Sequence, residues 1–112
     1  MGIFAQDNAA VAAGPYQRTG LGYVQFSLTT VQTLAAACLG AGVPYTLSGQ
    51  EREALISVEG NGIRWTDDGQ TPTTSYGNPI GAGQDASLSR DFSKVKLVSQ
   101  SGTATVNVTF SR

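Results

Sequence analysis

A chain of 112 residues is the size of one domain. Only 13% of it is charged and the net charge is −1, which argues against a nucleic-acid binder, because such a protein needs a basic face to neutralise phosphates. It has no histidine and one cysteine, so Ser-His-Asp triads, Cys-His pairs, the common zinc sites and an intrachain disulfide framework all drop out.

In chain order, the first feature is a scarcity of charge: within residues 1–50 only Asp7 and Arg18 are charged. Residues 1–20 have no clean period and read as an extended, flexible arm that buries too little apolar surface to order by itself. Its Ile3, Phe4, Val11 and Tyr16 are the expected contacts to a neighbouring subunit. Met1–Gln6 lacks the basic start and continuous apolar stretch of a signal peptide, and Gln6 stands where a myristoylation signal needs Ser or Thr. No apolar run approaches the roughly 20 residues that span a bilayer. The expectation is a protein made in the cytoplasm, with no membrane partner.

Residues 21–112 read as a single all-β domain. Val24, Phe26 and Leu28 alternate with Gln25 and Ser27, the mark of a half-buried strand. "TTVQTLAAACLGAG" offers one short helix, capped by Thr29 or Thr30 and ended by Gly40 or Gly42. "VPYTLSG" reads as a short edge strand with Val43, Tyr45 and Leu47 on one side. "EALISVEG" places Ala54, Ile56 and Val58 on one face, and Gly60-Asn61-Gly62 predicts a hairpin into "IRWTD". A turn-rich stretch follows, with Ile80 as its apolar peg. "ASLSRD" is a weak strand through Leu88, and "FSKVKLVSQ" turns Val95 and Leu97 inward. "TATVNVTF" closes the chain with Ala104, Val106, Val108 and Phe110 in. Short strands with regular turns describe an antiparallel β-sandwich or a small jelly-roll-like barrel.

Chemistry-bearing candidates are few. Asp67 and Asp68 are adjacent, so on a strand they point to opposite sides, whereas a calcium loop needs oxygens at alternate positions. Asp68-Gly69 is a turn pair, since both residues tolerate positive φ. Trp65 is in phase with Ile63 and so points to the core; the alternative is a sugar-stacking platform with Tyr76 and Tyr45. Arg64 and Glu59 face outward and are placed for a cross-strand pair. Cys38 reads as a small buried apolar residue, and Lys94/Lys96 as a solvated strand face. "GNPIGAG" lacks the Gly-Lys-Ser/Thr ending of a phosphate loop. The expectation is a chain with no catalytic residues, metal ligands or cofactor.

The stretch Ala54–Gly83, "ALISVEGNGIRWTDDGQTPTTSYGNPIGAG", resembles a pattern of small β-rich tailed-phage virion proteins. There a strand ending in Glu-Gly is followed by [IV]-R-W-x-D-D-G-x-x-P-T and then Gly, a hydrophobic residue and Gly. The ending "LSRDFSKVKLVSQSGTATVNVTFSR" resembles the final hairpin of the same proteins. The resemblance covers the C-terminal half and carries no catalytic residue. It implies a non-enzymatic virion structural protein that decorates or cements the capsid by binding the major capsid protein lattice. Further expected are a homo-oligomer, taken as a trimer, a place in the virion at the capsid surface, and a low-charge N-terminal half that serves as contact surface. A neck or tail position and a carbohydrate-binding module are the alternatives.

Overall fold

The computed structural model describes residues 19–89 and 91–112. The expected arm, with Ile3, Phe4, Val11 and Tyr16, lies outside the described residues apart from Thr19 and Gly20.

Among the described residues, eight strands form two four-stranded antiparallel sheets. They are β1 (Gly20–Leu28), β2 (Gln32–Thr33), β3 (Glu53–Glu59), β4 (Ile63–Thr66), β5 (Asn78–Ile80), β6 (Asp85–Leu88), β7 (Lys96–Ser99) and β8 (Ala104–Ser111). An α-helix, α1 (Leu34–Leu39), follows β2, and a 3-10 turn (Phe92–Lys94) precedes β7. One sheet runs β1-β8-β3-β6 and the other β2-β7-β4-β5.

The pairing explains this order. β4 pairs with β5, β3 with β6, β2 with β7 and β1 with β8. These are the nested rungs of one long hairpin whose tip is residues 67–77. Rolled up, the hairpin adds two further pairings, β3 with β8 and β4 with β7. Two sheets connected in this way are the jelly-roll topology, so the fold is an all-β sandwich of that kind.

Alternation accounts for the core. Val24, Phe26 and Leu28 of β1, Ala54, Ile56 and Val58 of β3, and Ala104, Val106, Val108 and Phe110 of β8 form one inner face. Ile63 and Trp65 of β4, Ile80 of β5 and Leu97 of β7 meet them from the other sheet. β1 begins at Gly20, four residues before Val24 starts the visible alternation, because Gly20 and Gly22 carry no side chains to alternate; a bulge lies between them. Leu34, Ala37 and Cys38 seat α1 on the core.

Several local expectations are corrected. α1 is capped by Thr33, whose Oγ1 accepts from the Ala36 amide at 3.1 Å, rather than by Thr29 or Thr30. Gln32 and Thr33 first pair with β7, which delays the helix; Gly40 ends it as expected. "VPYTLSG" is not a strand. Pro44 lacks an amide, Gly49 sits at φ +87°, and the Ser48 and Gly49 amides donate to a side chain instead of a ladder. Gly60-Asn61-Gly62 does not make a hairpin between paired strands: β3 and β4 lie in different sheets, and this corner crosses between them. The corner at 100–103 joins β7 to β8 across the sandwich in the same way, so the expected final hairpin is also a sheet crossing. The two corners brace each other, with the Gln100 amide donating to the Gly62 carbonyl at 2.8 Å and Asn61 Nδ2 to the Thr103 carbonyl at 2.8 Å.

Because Trp65 is a core residue with 9% of its surface exposed, Trp65→Ala is expected to lower stability by about 3–5 kcal/mol. Urea unfolding followed by circular dichroism measures this; an unchanged midpoint would contradict the placement of the ring.

Candidate functional site

The stretch from Arg64 to Gly77 is a clasp. Arg64 projects from the outer side of β4, opposite Ile63 and Trp65, and is half-buried. Its Nε donates to the Thr74 carbonyl at 3.1 Å and its Nη1 to the Gly77 carbonyl at 2.8 Å. Thr66 Oγ1 donates to the Gln70 carbonyl at 2.6 Å, and Asp68 Oδ1 accepts from the Gln70 amide at 3.0 Å. Gly69 turns the chain at φ +87° and its carbonyl accepts from Lys96 Nζ at 3.3 Å. Pro72 is fully buried under the returning chain. Gly77 completes the closure: at φ +120°, a Cβ there would lie 3.1 Å from the Trp65 carbonyl and 3.3 Å from Arg64 Cβ.

The structure therefore places Asp67, Asp68 and Gly69 in one turn directly after Trp65 of β4, but not around an open site. Asp68 is used by the turn, and the described residues contain no group of three His, Cys, Asp or Glu side chains that could hold a metal. The sugar platform is not formed either. Trp65 is in the core, the Tyr45 ring stacks on Phe110 with centroids 4.9 Å apart, and only Tyr76 presents a half-exposed ring. The Glu59–Arg64 pair is replaced: Glu59 Oε2 accepts from Asn107 Nδ2 at 3.2 Å while Arg64 binds the loop. These two residues lie on different sheets, which is why the expected pairing fails.

A second polar centre was not foreseen. The Glu51 carboxylate, 8% exposed, accepts from Tyr45 Oη at 2.8 Å, the Ser48 amide at 2.9 Å, Ser48 Oγ at 2.9 Å and the Gly49 amide at 3.0 Å. Burial alone pushes this carboxyl up, but the donors from Ser48 and Tyr45 outweigh it and hold it down to about 2. Burial and the bond to Glu51 push Tyr45 up to about 12. Burial, and then the Glu51 charge, push the Cys38 thiol up to about 12, so Cys38 is an inert core thiol at neutral pH. Gly22 leaves the space that the Tyr45 ring occupies, since a Cβ there would collide with Tyr45 Cε2. The available signal was Ser48-Gly49-Gln50-Glu51, the spacing of a capping box. Here it closes a loop with no helix after it.

A depression of about 1230 Å³ adjoins this centre. Of the charged residues along it, Glu51 is bonded as above, Asp91 caps the 3-10 turn through the Ser93 amide, Arg112 donates to Gln50 Oε1 and Glu53 Oε2 accepts from Ser89 Oγ at 3.2 Å; Arg52 also lines it.

The sheet edges differ more sharply. β2 has two residues, β5 contains Pro79, and β6 is four residues long with Asp85 at its start. Each is the kind of edge that resists adding another strand. β1 is nine residues long with neither proline nor charge, and among the described residues it pairs only with β8. A groove of about 650 Å³ lies beside it, lined by Tyr23–Ser27 and the 40–43 turn, without a charged residue. Val43 stands 80% exposed in that groove, and Leu39 is 54% exposed at the end of α1.

No protein-family model, no curated protein and no solved structure matches the chain.

Arg64→Ala removes two charge-assisted bonds, one exposed and one part-buried, and leaves the part-buried Gly77 carbonyl without its donor, so a loss of about 1.5–2 kcal/mol is expected in chemical unfolding. Wild-type stability would rule the clasp out. The second expectation concerns acid. Glu51 has a folded pKa below its ordinary value of 4.5, so its contribution is complete above that value and is lost as pH falls from there towards 2. Glu51→Gln is expected to be less stable at pH 7 and to show a flatter decline across this window, read by thermal unfolding at a series of pH values. Parallel curves for the two proteins would contradict it.

Proposed function

We propose that this chain is a non-enzymatic structural protein of a tailed-phage virion that decorates or cements the capsid by docking on the major capsid protein lattice. The observation that carries the reading is the β1 edge: long, uncharged, unprotected, and flanked by exposed Val43 and Leu39. Such an edge is a liability for a free protein and an asset for one built into an assembly, where main-chain hydrogen bonds and apolar contact supply the affinity. The phage-like string supports the same reading. Its Arg64, Thr66, Asp68 and Gly69 are committed to closing the fold, as expected of a motif that specifies architecture rather than chemistry. The jelly-roll topology also serves in viral capsid domains, although topology alone carries no function.

The test is co-sedimentation of the purified protein with phage capsids that lack it. Binding is expected to saturate at a fixed ratio of copies to major capsid protein. Binding to no capsid surface, or binding that never saturates, would overturn the proposal.

A further inference from the structure

The unprotected edge needs a particular occupant. We infer that residues 2–18 of one copy of this chain add as an extended strand to the β1 edge of another copy, in the groove between Tyr23–Ser27 and the 40–43 turn. The inference concerns contacts between copies and does not depend on where in a virion the protein sits.

Three observations support this choice. The first is fit of charge. The groove has no charged lining, and the segment carries only Asp7 and, at its far end, Arg18. A buried strand partner with more charge would leave those charges unpaired. The second is length. Eighteen residues precede Thr19, and fully extended they reach about 60 Å, roughly twice what a nine-residue strand needs. The surplus is enough to cross to a neighbour. The third is direction. The Thr19 amide donates to the Arg112 carbonyl at 2.9 Å and the Arg112 amide to the Thr19 carbonyl at 3.0 Å. This pair keeps the chain in line with β1 at its first described residue, pointing past the Gly20 end of the strand and away from the chain's own groove at Tyr23–Ser27. An arm given to a neighbour in one direction is a head-to-tail contact, which closes into a ring when the rotation between copies allows.

The experiment is light scattering after gel filtration on three proteins: the full chain, the chain lacking residues 2–18, and the full chain with Val43→Lys. Val43 is 80% exposed, so this substitution changes the groove and spares the fold. The full chain is expected to be an oligomer, and the truncated and Val43→Lys proteins monomers or at least tenfold weaker associators. A synthetic peptide of residues 1–18 is expected to bind the truncated protein saturably and to fail against a truncated protein carrying Val43→Lys. A full chain that stays monomeric at every concentration would overturn the inference. So would an oligomer that survives the truncation, which would assign the contact to another surface, or a peptide that binds both truncated proteins alike.

Discussion

The bonds from the Arg64 guanidinium to the Thr74 and Gly77 carbonyls close the tip of the hairpin from which the entire fold is rolled. Working outward from that tip, β4 meets β5, β3 meets β6, β2 meets β7 and β1 meets β8. A slip of one residue at the tip would turn every inward side chain of the following strands to the solvent. This explains why the stretch that looks most chemical is densely bonded within itself. Asp68 holds Gln70, Thr66 holds the same residue from the other side, and Pro72 fills the space beneath.

At the opposite extreme of the rolled ribbon lies β1. Its inner face is as well packed as that of β8, but its outer edge has no partner among the described residues. The molecule thus concentrates its polar specificity at the hairpin tip and in the Glu51 centre, and leaves its longest edge uncharged. Residues 19–50 carry no charged residue, and their β1, α1 and 40–43 turn lie on this same side of the fold. The proposed virion role and the proposed strand exchange both draw on that asymmetry.

Strands with one wet face were legible from residues alone. β1, β3 and β8 alternate cleanly, and Val24, Ile56 and Val108 are buried where alternation puts them. Sheet membership was not legible. Gly60-Asn61-Gly62 supplies the same local freedom to a hairpin and to a corner between sheets, and the choice is made by distant contacts with Gln100 and Thr103. The segment around Tyr45 misled for a related reason. Its alternation reflects Tyr45 and Leu47 packing on the core, while its amides are satisfied by Glu51 rather than by a strand. The turn role of Asp68 and Gly69 was legible from local chemistry, whereas the hold of Arg64 on carbonyls ten and thirteen residues away was not.

The proposed role of this β-sandwich is to cover a capsid lattice, and a cryo-EM reconstruction of the purified virion tests that role. Copies spread over the capsid surface in step with the major capsid protein are expected. A single ring of copies at the portal vertex, or no density for the chain anywhere on the particle, would contradict it.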